Sequence, residues 1–180
     1  IMTKQEFITG LDMGSGRVTC LIGTPDEAGR VKVLGGATEL CAGIDCGIVV
    51  NIRETAQAVP RCIERAEAEA KATVTGVFLG VRGTHLESLN SRGVFNIARD
   101  DKEVTADDVQ RVISNAKAVA VAPDREILHV LPQGFSLDRQ RGVPNPVGME
   151  GTVLEVEVHI VTASTSHLNN LTKAVSDAGF

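Results

Sequence analysis

Tryptophan and tyrosine are absent from these 180 residues, and phenylalanine occurs only five times. Positive charge is also in short supply: 18 Lys and Arg face 23 Asp and Glu, for a net charge of −5. A nucleic-acid binder needs a basic face to hold phosphates and aromatic rings on which bases stack, so the composition argues against that class. No apolar run approaches the roughly 18 residues of a membrane span. The N-terminus lacks the charged-then-apolar pattern of a secretory signal, and the chain reads as soluble and cytoplasmic. Cysteine is sparse: Cys20, Cys41, Cys46 and Cys62 fit neither a paired C-x-x-C zinc pattern nor a dense disulfide framework. Cys20 and Cys62 fall in apolar-periodic segments, where buried reduced thiols are the expected occupants. The histidines, His85, His129, His159 and His167, show no ligand-like spacing.

What is present suits a folded α/β (α+β) chain. At about 150 residues per domain the length predicts one large or two small domains, with core enough to need no covalent staple. Residues 7–13 and 17–23 read as two strands joined by Gly14-Ser15-Gly16, and a third strand follows at 31–39. Two glycines in that third strand predict a bulge or a close backbone approach. A Gly-punctuated loop, 42–48, leads to a helix at 53–71 with an apolar stripe of Ala56, Val59, Ile63, Ala66 and Ala70. Glu67 and Lys71 are placed to pair on its wet side. Pro60 predicts a kink in that helix or a late start to it. The apolar run 76–81, bounded by Gly, reads as a buried strand.

Near residue 84 the texture changes. A strand is expected at 92–98, then a helix opened by the capping box Thr105–Asp108, with Val109, Val112, Ile113 and Ala116 on one face. Strands follow at 126–137 and 153–163, separated by a polar Gly/Pro-rich loop at 138–151 that is a candidate for contacts. A last helix at 166–178 carries Leu168, Leu171, Val175 and Ala178, with Gly179 as its C-terminal stop. The chain thus divides into 1–83, an inserted strand–helix–strand–strand unit at 84–164, and a closing helix at 165–180.

The strongest chemical signal is Asp12-Met13-Gly14-Ser15-Gly16-Arg17. A small-residue turn between strands points backbone N–H groups outward into an anion-binding concavity. Ser15 adds a hydroxyl donor and Arg17 a planar guanidinium fork suited to phosphate. Asp12 repels a bare phosphate but suits one bridged by Mg²⁺ and its waters. The same six residues also suit a plain glycine hairpin with a solvated Asp12, and on the residues alone both readings stand.

GLDMGSGRVTCLIG resembles the first phosphate motif of the actin, Hsp70 and sugar-kinase superfamily. EILHVLPQGFSLD, GVPNPVGMEG, VEVHIVTAS and the terminal KAVSDAGF resemble the bacterial cell-division family FtsA, in a similarity that runs from Phe7 to Phe180. The resemblance implies a partial actin-like (ribonuclease-H-like) subdomain 1A, interrupted by an inserted subdomain 1C at 84–164. It implies ATP and Mg²⁺ as cofactors of the full-length protein, with Asp12, Gly14, Ser15, Gly16 and Arg17 as binding residues and Asp12 reaching Mg²⁺ through water. The family's partners are the tubulin-like FtsZ, later division proteins met through 1C, further copies in polymers, and the inner membrane at the division site, reached by a C-terminal amphipathic helix. At most weak ATP hydrolysis is implied for the full-length protein, with no catalytic residue assigned.

This sequence departs from the family in three ways. It stops before the second phosphate loop, the adenosine motif and the amphipathic tail, so the fragment itself is expected to bind ATP weakly or not at all. Arg17 stands where the family commonly has Lys, and Pro60 falls in a helix the family leaves uninterrupted. Met2 reads as the natural start of an N-terminal fragment. Two other readings come from the same superfamily. One is a small-molecule kinase, for which no catalytic base is evident here. The other is a pilus-assembly relative that binds a partner's short peptide.

Overall fold

The computed structural model describes residues 7–118 and 121–180. In chain order, the first elements are β1 (Ile8–Gly14), β2 (Gly16–Pro25), β3 (Val31–Cys41), β4 (Ile44–Asp45), β5 (Ile48–Val49), α1 (Ile52–Ala70) and β6 (Phe78–Gly80). After them come β7 (Leu86–Asn96), α2 (Ala106–Lys117), β8 (Arg125–Leu137), β9 (Gln140–Val143), β10 (Val153–Ser164) and α3 (Thr165–Ser176). Contacts group these into two units, one of residues up to His85 together with Ser166–Phe180, the other of Leu86–Thr165.

The first unit is built on a four-stranded sheet of order β3-β2-β1-β6, antiparallel except for the β1–β6 pair. Alternation along β1 and β2 sends Leu11, Met13, Val18, Cys20 and Ile22 to one face. There they pack with Val59, Cys62, Ile63 and Ala66 of α1 and Leu171, Ala174 and Val175 of α3. Both glycine effects expected in β3 occur. The register slips opposite Ile22/Gly23, and a β-carbon on Gly35 would lie 2.6 Å from the Ala70 nitrogen.

Several expectations for this unit are corrected. Helix α1 does not start late: it begins at Ile52, capped by the Asn51 side chain, and includes Pro60. Its buried face includes Thr55, Ala58 and Cys62, while Ala56 and Ala70 are only half-buried. Glu67 does not pair with Lys71 among the described ion pairs. Its carboxylate instead accepts the Val74 N–H at 2.6 Å, next to a left-handed Lys71 (φ 52°) that ends the helix. Residues 76–81 are not buried throughout, because β6 has a described neighbour on one side only and Phe78 is 73% exposed.

The second unit is a strand–helix–strand–strand–strand arrangement whose sheet, β7-β10-β8-β9, is antiparallel throughout. Leu154, Val156, Val158 and Ile160 face the core with Val112 and Ala116 of α2, as the alternation predicts. The capping box is complete: the Thr105 side chain accepts from Asp108 N–H, and the Asp108 carboxylate accepts from Thr105 N–H at 2.9 Å. Strand β7 begins at Leu86, six residues before the start expected at Arg92, because its first half, LESLNS, shows no apolar alternation. The stretch read as a loop at 138–151 contains β9, and Glu150 bridges to Glu103.

Candidate functional site

Three tight turns converge at the C-terminal end of β1. The first is the β1–β2 hairpin, where Gly14 pairs with Arg17 across Ser15-Gly16 and Gly16 takes φ +74°. A side chain at Gly16 would be strained. The second turn joins β4 to β5, with Cys46 (φ 49°) and Gly47 (φ 78°) both left-handed. The third follows β6 at Arg82-Gly83, with Gly83 at φ 131°. These turns touch. Ser15 Oγ accepts the Cys46 N–H at 2.8 Å. A β-carbon on Gly47 would meet the Arg82 carbonyl oxygen at 2.1 Å, and one on Gly83 the Cys46 carbonyl oxygen at 2.6 Å.

All five residues predicted for the site lie at or beside the first turn, and Asp12, Ser15, Gly16 and Arg17 are exposed. Strand register puts Asp12, Gly14 and Arg17 on the sheet face away from α1, since each is out of phase with the buried Leu11, Met13 and Val18. Ser15 Oγ uses an acceptor lone pair on Cys46 and keeps its O–H to donate. Arg82 escaped sequence reasoning. Its Nη2 lies 3.8 Å from Asp12 Oδ2, and a β-carbon on Gly14 would sit 1.9 Å from the same nitrogen. The pairing that brings it there is long-range: β6 runs parallel to β1 with Gly80 opposite Asp12, so Arg82, two residues on, comes level with Gly14. A Gly-flanked cation just past a short apolar strand was the signal available in the sequence.

The donor set is the Ser15 hydroxyl, the hairpin backbone and the guanidinium groups of Arg17 and Arg82, with one carboxylate among them. These groups favour an anion, and Asp12 is compatible with that anion when a hydrated cation accompanies it. The residues present therefore fit a magnesium-bound phosphate group. Among the described residues, no His/Cys/Asp/Glu cluster has the form of a direct metal site.

The thiols are buried where expected. Cys20 and Cys62 are fully inside, and Cys62 Sγ donates to the carbonyls of Val18 and Ala37 at 3.4 Å each. Burial, reinforced by the neighbouring Cys62 thiol, pushes Cys20 up to about 11. Two of the scattered histidines do meet, as His85 and His167 stack with ring centroids 5.0 Å apart.

Residues 83–162 match the family model described as the SHS2 domain inserted in FtsA. A chain of the PilM-PilN type IV pilus biogenesis complex aligns with 96% of this chain and 45% of its own, with a TM-score of 0.61 at 12% identity, which shows the fold alone. The class is therefore an actin-like α+β protein carrying an SHS2-type insertion. Cell division protein FtsA of Pseudomonas aeruginosa is 38% identical over 97% of this chain and 41% of its own length. The FtsA proteins of Borreliella burgdorferi and Escherichia coli K12 are 36% and 33% identical, each over 98% of this chain and 43% and 42% of their own lengths. The chain is thus similar to FtsA cell-division proteins along nearly its whole length and spans about two fifths of the length of these relatives. No described helix is long and apolar enough to cross a membrane.

Proposed function

We propose that this chain supplies the first phosphate loop and the 1C subdomain of an actin-like, ATP-binding division protein. On this reading the whole protein forms polymers, ties the FtsZ ring to the inner membrane at the division site and recruits later division proteins. The observation that carries it is the meeting of three turns around Asp12 and Gly14 in a chain that matches FtsA over nearly its whole length. ATP with Mg²⁺ supplies the negative charge that such a donor set binds. Ser15, Gly16 and Arg17 hold the phosphates, and Asp12 orients water on the cation. The pilus-assembly reading rests on fold likeness at 12% identity, against 33–38% identity to FtsA proteins.

The test is calorimetry with Mg-ATP on the longer protein carrying this stretch, beside its Asp12→Ala variant, together with retention of FtsZ on the immobilised protein. Expected are ATP binding that weakens by about tenfold or more in the variant, and capture of FtsZ. Unchanged ATP affinity reduces the hairpin to a structural turn, and absence of FtsZ capture removes the division role.

A further inference from the structure

The sheet of the Leu86–Thr165 unit buries one face under α2, and its other face is charged at the corner nearest β9. Register places Glu155 of β10 beside Ser136 of β8, and Ser136 beside Arg141 of β9. Arg92, Ser136, Asp138, Arg139, Arg141 and Glu155 line a hollow of about 430 Å³ on this face. Both of its carboxylates are already engaged. Glu155 binds the Arg92 guanidinium. The Asp138 carboxylate accepts from the N–H groups of Val153 at 2.9 Å and Thr152 at 3.0 Å, which hold it below the usual carboxylate range. The guanidinium groups of Arg139 and Arg141 have no hydrogen-bond or ion-pair partner among the described residues.

The backbone that presents these arginines is unusual. Leu137 pairs with Gln140, so Asp138 (φ 46°) and Arg139 (φ 75°) form a two-residue turn with both residues left-handed. Asn-Gly is the favoured sequence for that turn, and a long side chain in the glycine place is strained. Asp138 holds the turn through its carboxylate and through its own N–H to the Val153 carbonyl at 3.0 Å. Within the turn itself, Arg139 makes no contact that would explain an arginine there. Strand β9, which follows, is the edge of the sheet. Gln140–Gly142 are exposed, and no backbone hydrogen bond occupies the outer edge of β9 among the described residues.

We propose that this corner docks an acidic peptide in extended form, added as a strand along the outer edge of β9 with alternate carboxylates on Arg139 and Arg141. An open strand edge supplies main-chain hydrogen bonds, and every second side chain of an added strand faces the same side. The two free forks then select Asp or Glu at those positions through paired N–H···O bonds. In a chain of net charge −5 the attraction is local to this corner, and a basic segment is repelled from it. The proposal does not depend on the nucleotide reading.

The test is fluorescence anisotropy on the 180-residue chain with a labelled peptide of about ten residues alternating Glu with Thr and Val. Its Gln-for-Glu counterpart and inorganic phosphate as competitor complete the set. Saturable binding of the Glu peptide is expected, weakened about tenfold or more in the Gln peptide and in both Arg139→Gly and Arg141→Gln. Arg139→Gly relieves the left-handed position, so its thermal midpoint should not fall, which separates loss of contact from loss of fold. Equal affinity for the two peptides, or wild-type affinity in Arg139→Gly, overturns the proposal. So do displacement by phosphate at the peptide's own concentration and the absence of saturable binding.

Discussion

Arg82 spans the gap between two strands that are neighbours only in the folded state, reaching 3.8 Å from the Asp12 carboxylate while its guanidinium fills the space above Gly14. Both side chains of the pair are about half exposed, so the ion pair itself contributes little to stability, on the order of 1 kcal/mol or less. The backbone around it matters more, because Gly47 and Gly83 let the second and third turns approach to contact distance.

That contrast gives a paired prediction. In Gly14→Ala the new β-carbon meets only the far end of the flexible Arg82 side chain, which can swing away. The expected cost is within about 1 kcal/mol. In Gly47→Ala the β-carbon meets the Arg82 carbonyl oxygen at 2.1 Å in a residue already at φ 78°. A cost of about 2 kcal/mol or more follows, lowering the midpoint by roughly 4–8 °C. Thermal unfolding by circular dichroism checks the pair, and equal midpoints for the two variants would contradict the argument.

The β1–β2 hairpin was legible because everything that makes it is local: a strand, two glycines flanking a serine, and a strand. The α2 cap was legible for the same reason, since Thr105 and Asp108 declare each other across three residues. Arg82 was not, because a parallel pairing of Gly80 with Asp12 carries no local mark. Strand β9 stayed hidden because its turn carries Asp138-Arg139 in place of Asn-Gly, the usual hairpin signature. The run at 76–81 was misread as buried because apolar content reports the composition of a strand and not its place in the sheet order.

Thiol reactivity should separate one cysteine from three. Cys20, Cys41 and Cys62 are buried, whereas Cys46 is exposed at the second turn. A hydrogen bond to Asp45, with that residue's charge, raises the Cys46 thiol above its ordinary value. At pH 8 one thiol per chain should react with a disulfide reagent in the native protein, more slowly than free cysteine does. All four should react after denaturation. Titration of more than one thiol in the folded state would show that the core around β1, β2 and α1 opens far more readily than its packing implies.

Pro60 lacks the N–H that would bond the Ala56 carbonyl, yet it sits inside a helix that runs from Ile52 to Ala70. The helix persists because Val59, Cys62 and Ile63 on either side are fully buried, so packing outweighs an intrinsic penalty of about 3 kcal/mol. Pro60→Ala restores the hydrogen bond but gives the unfolded chain more freedom, worth about 1 kcal/mol in the opposite direction. A net gain of roughly 1–2 kcal/mol is expected, read as a higher midpoint in urea. A lower midpoint would mean that the proline ring's own packing outweighs the bond it forbids.

Asp108 carries the clearest pH dependence. Its side chain is 1% exposed. It accepts from the Arg99 guanidinium and from the N–H and hydroxyl of Thr105 at 2.9 and 2.8 Å. The Arg99 hydrogen bond is the main cause that holds this carboxyl far below the ordinary range, with the two Thr105 bonds adding to it. A carboxylate whose folded value lies below its unfolded one adds stability that is fully present above the unfolded value, about 3.9. That stability is lost as pH falls toward and through the folded value. Asp108→Asn replaces the charge with an amide that satisfies neither Arg99 nor the Thr105 N–H as well, and should cost roughly 3 kcal/mol near neutral pH. Unfolding free energies measured from pH 7 down to about pH 2 should therefore show wild type falling toward the variant, with the gap narrowing once the pH drops below about 4. Two parallel curves separated by a constant offset would place the loss in packing and not in the Arg99–Asp108 charge pair.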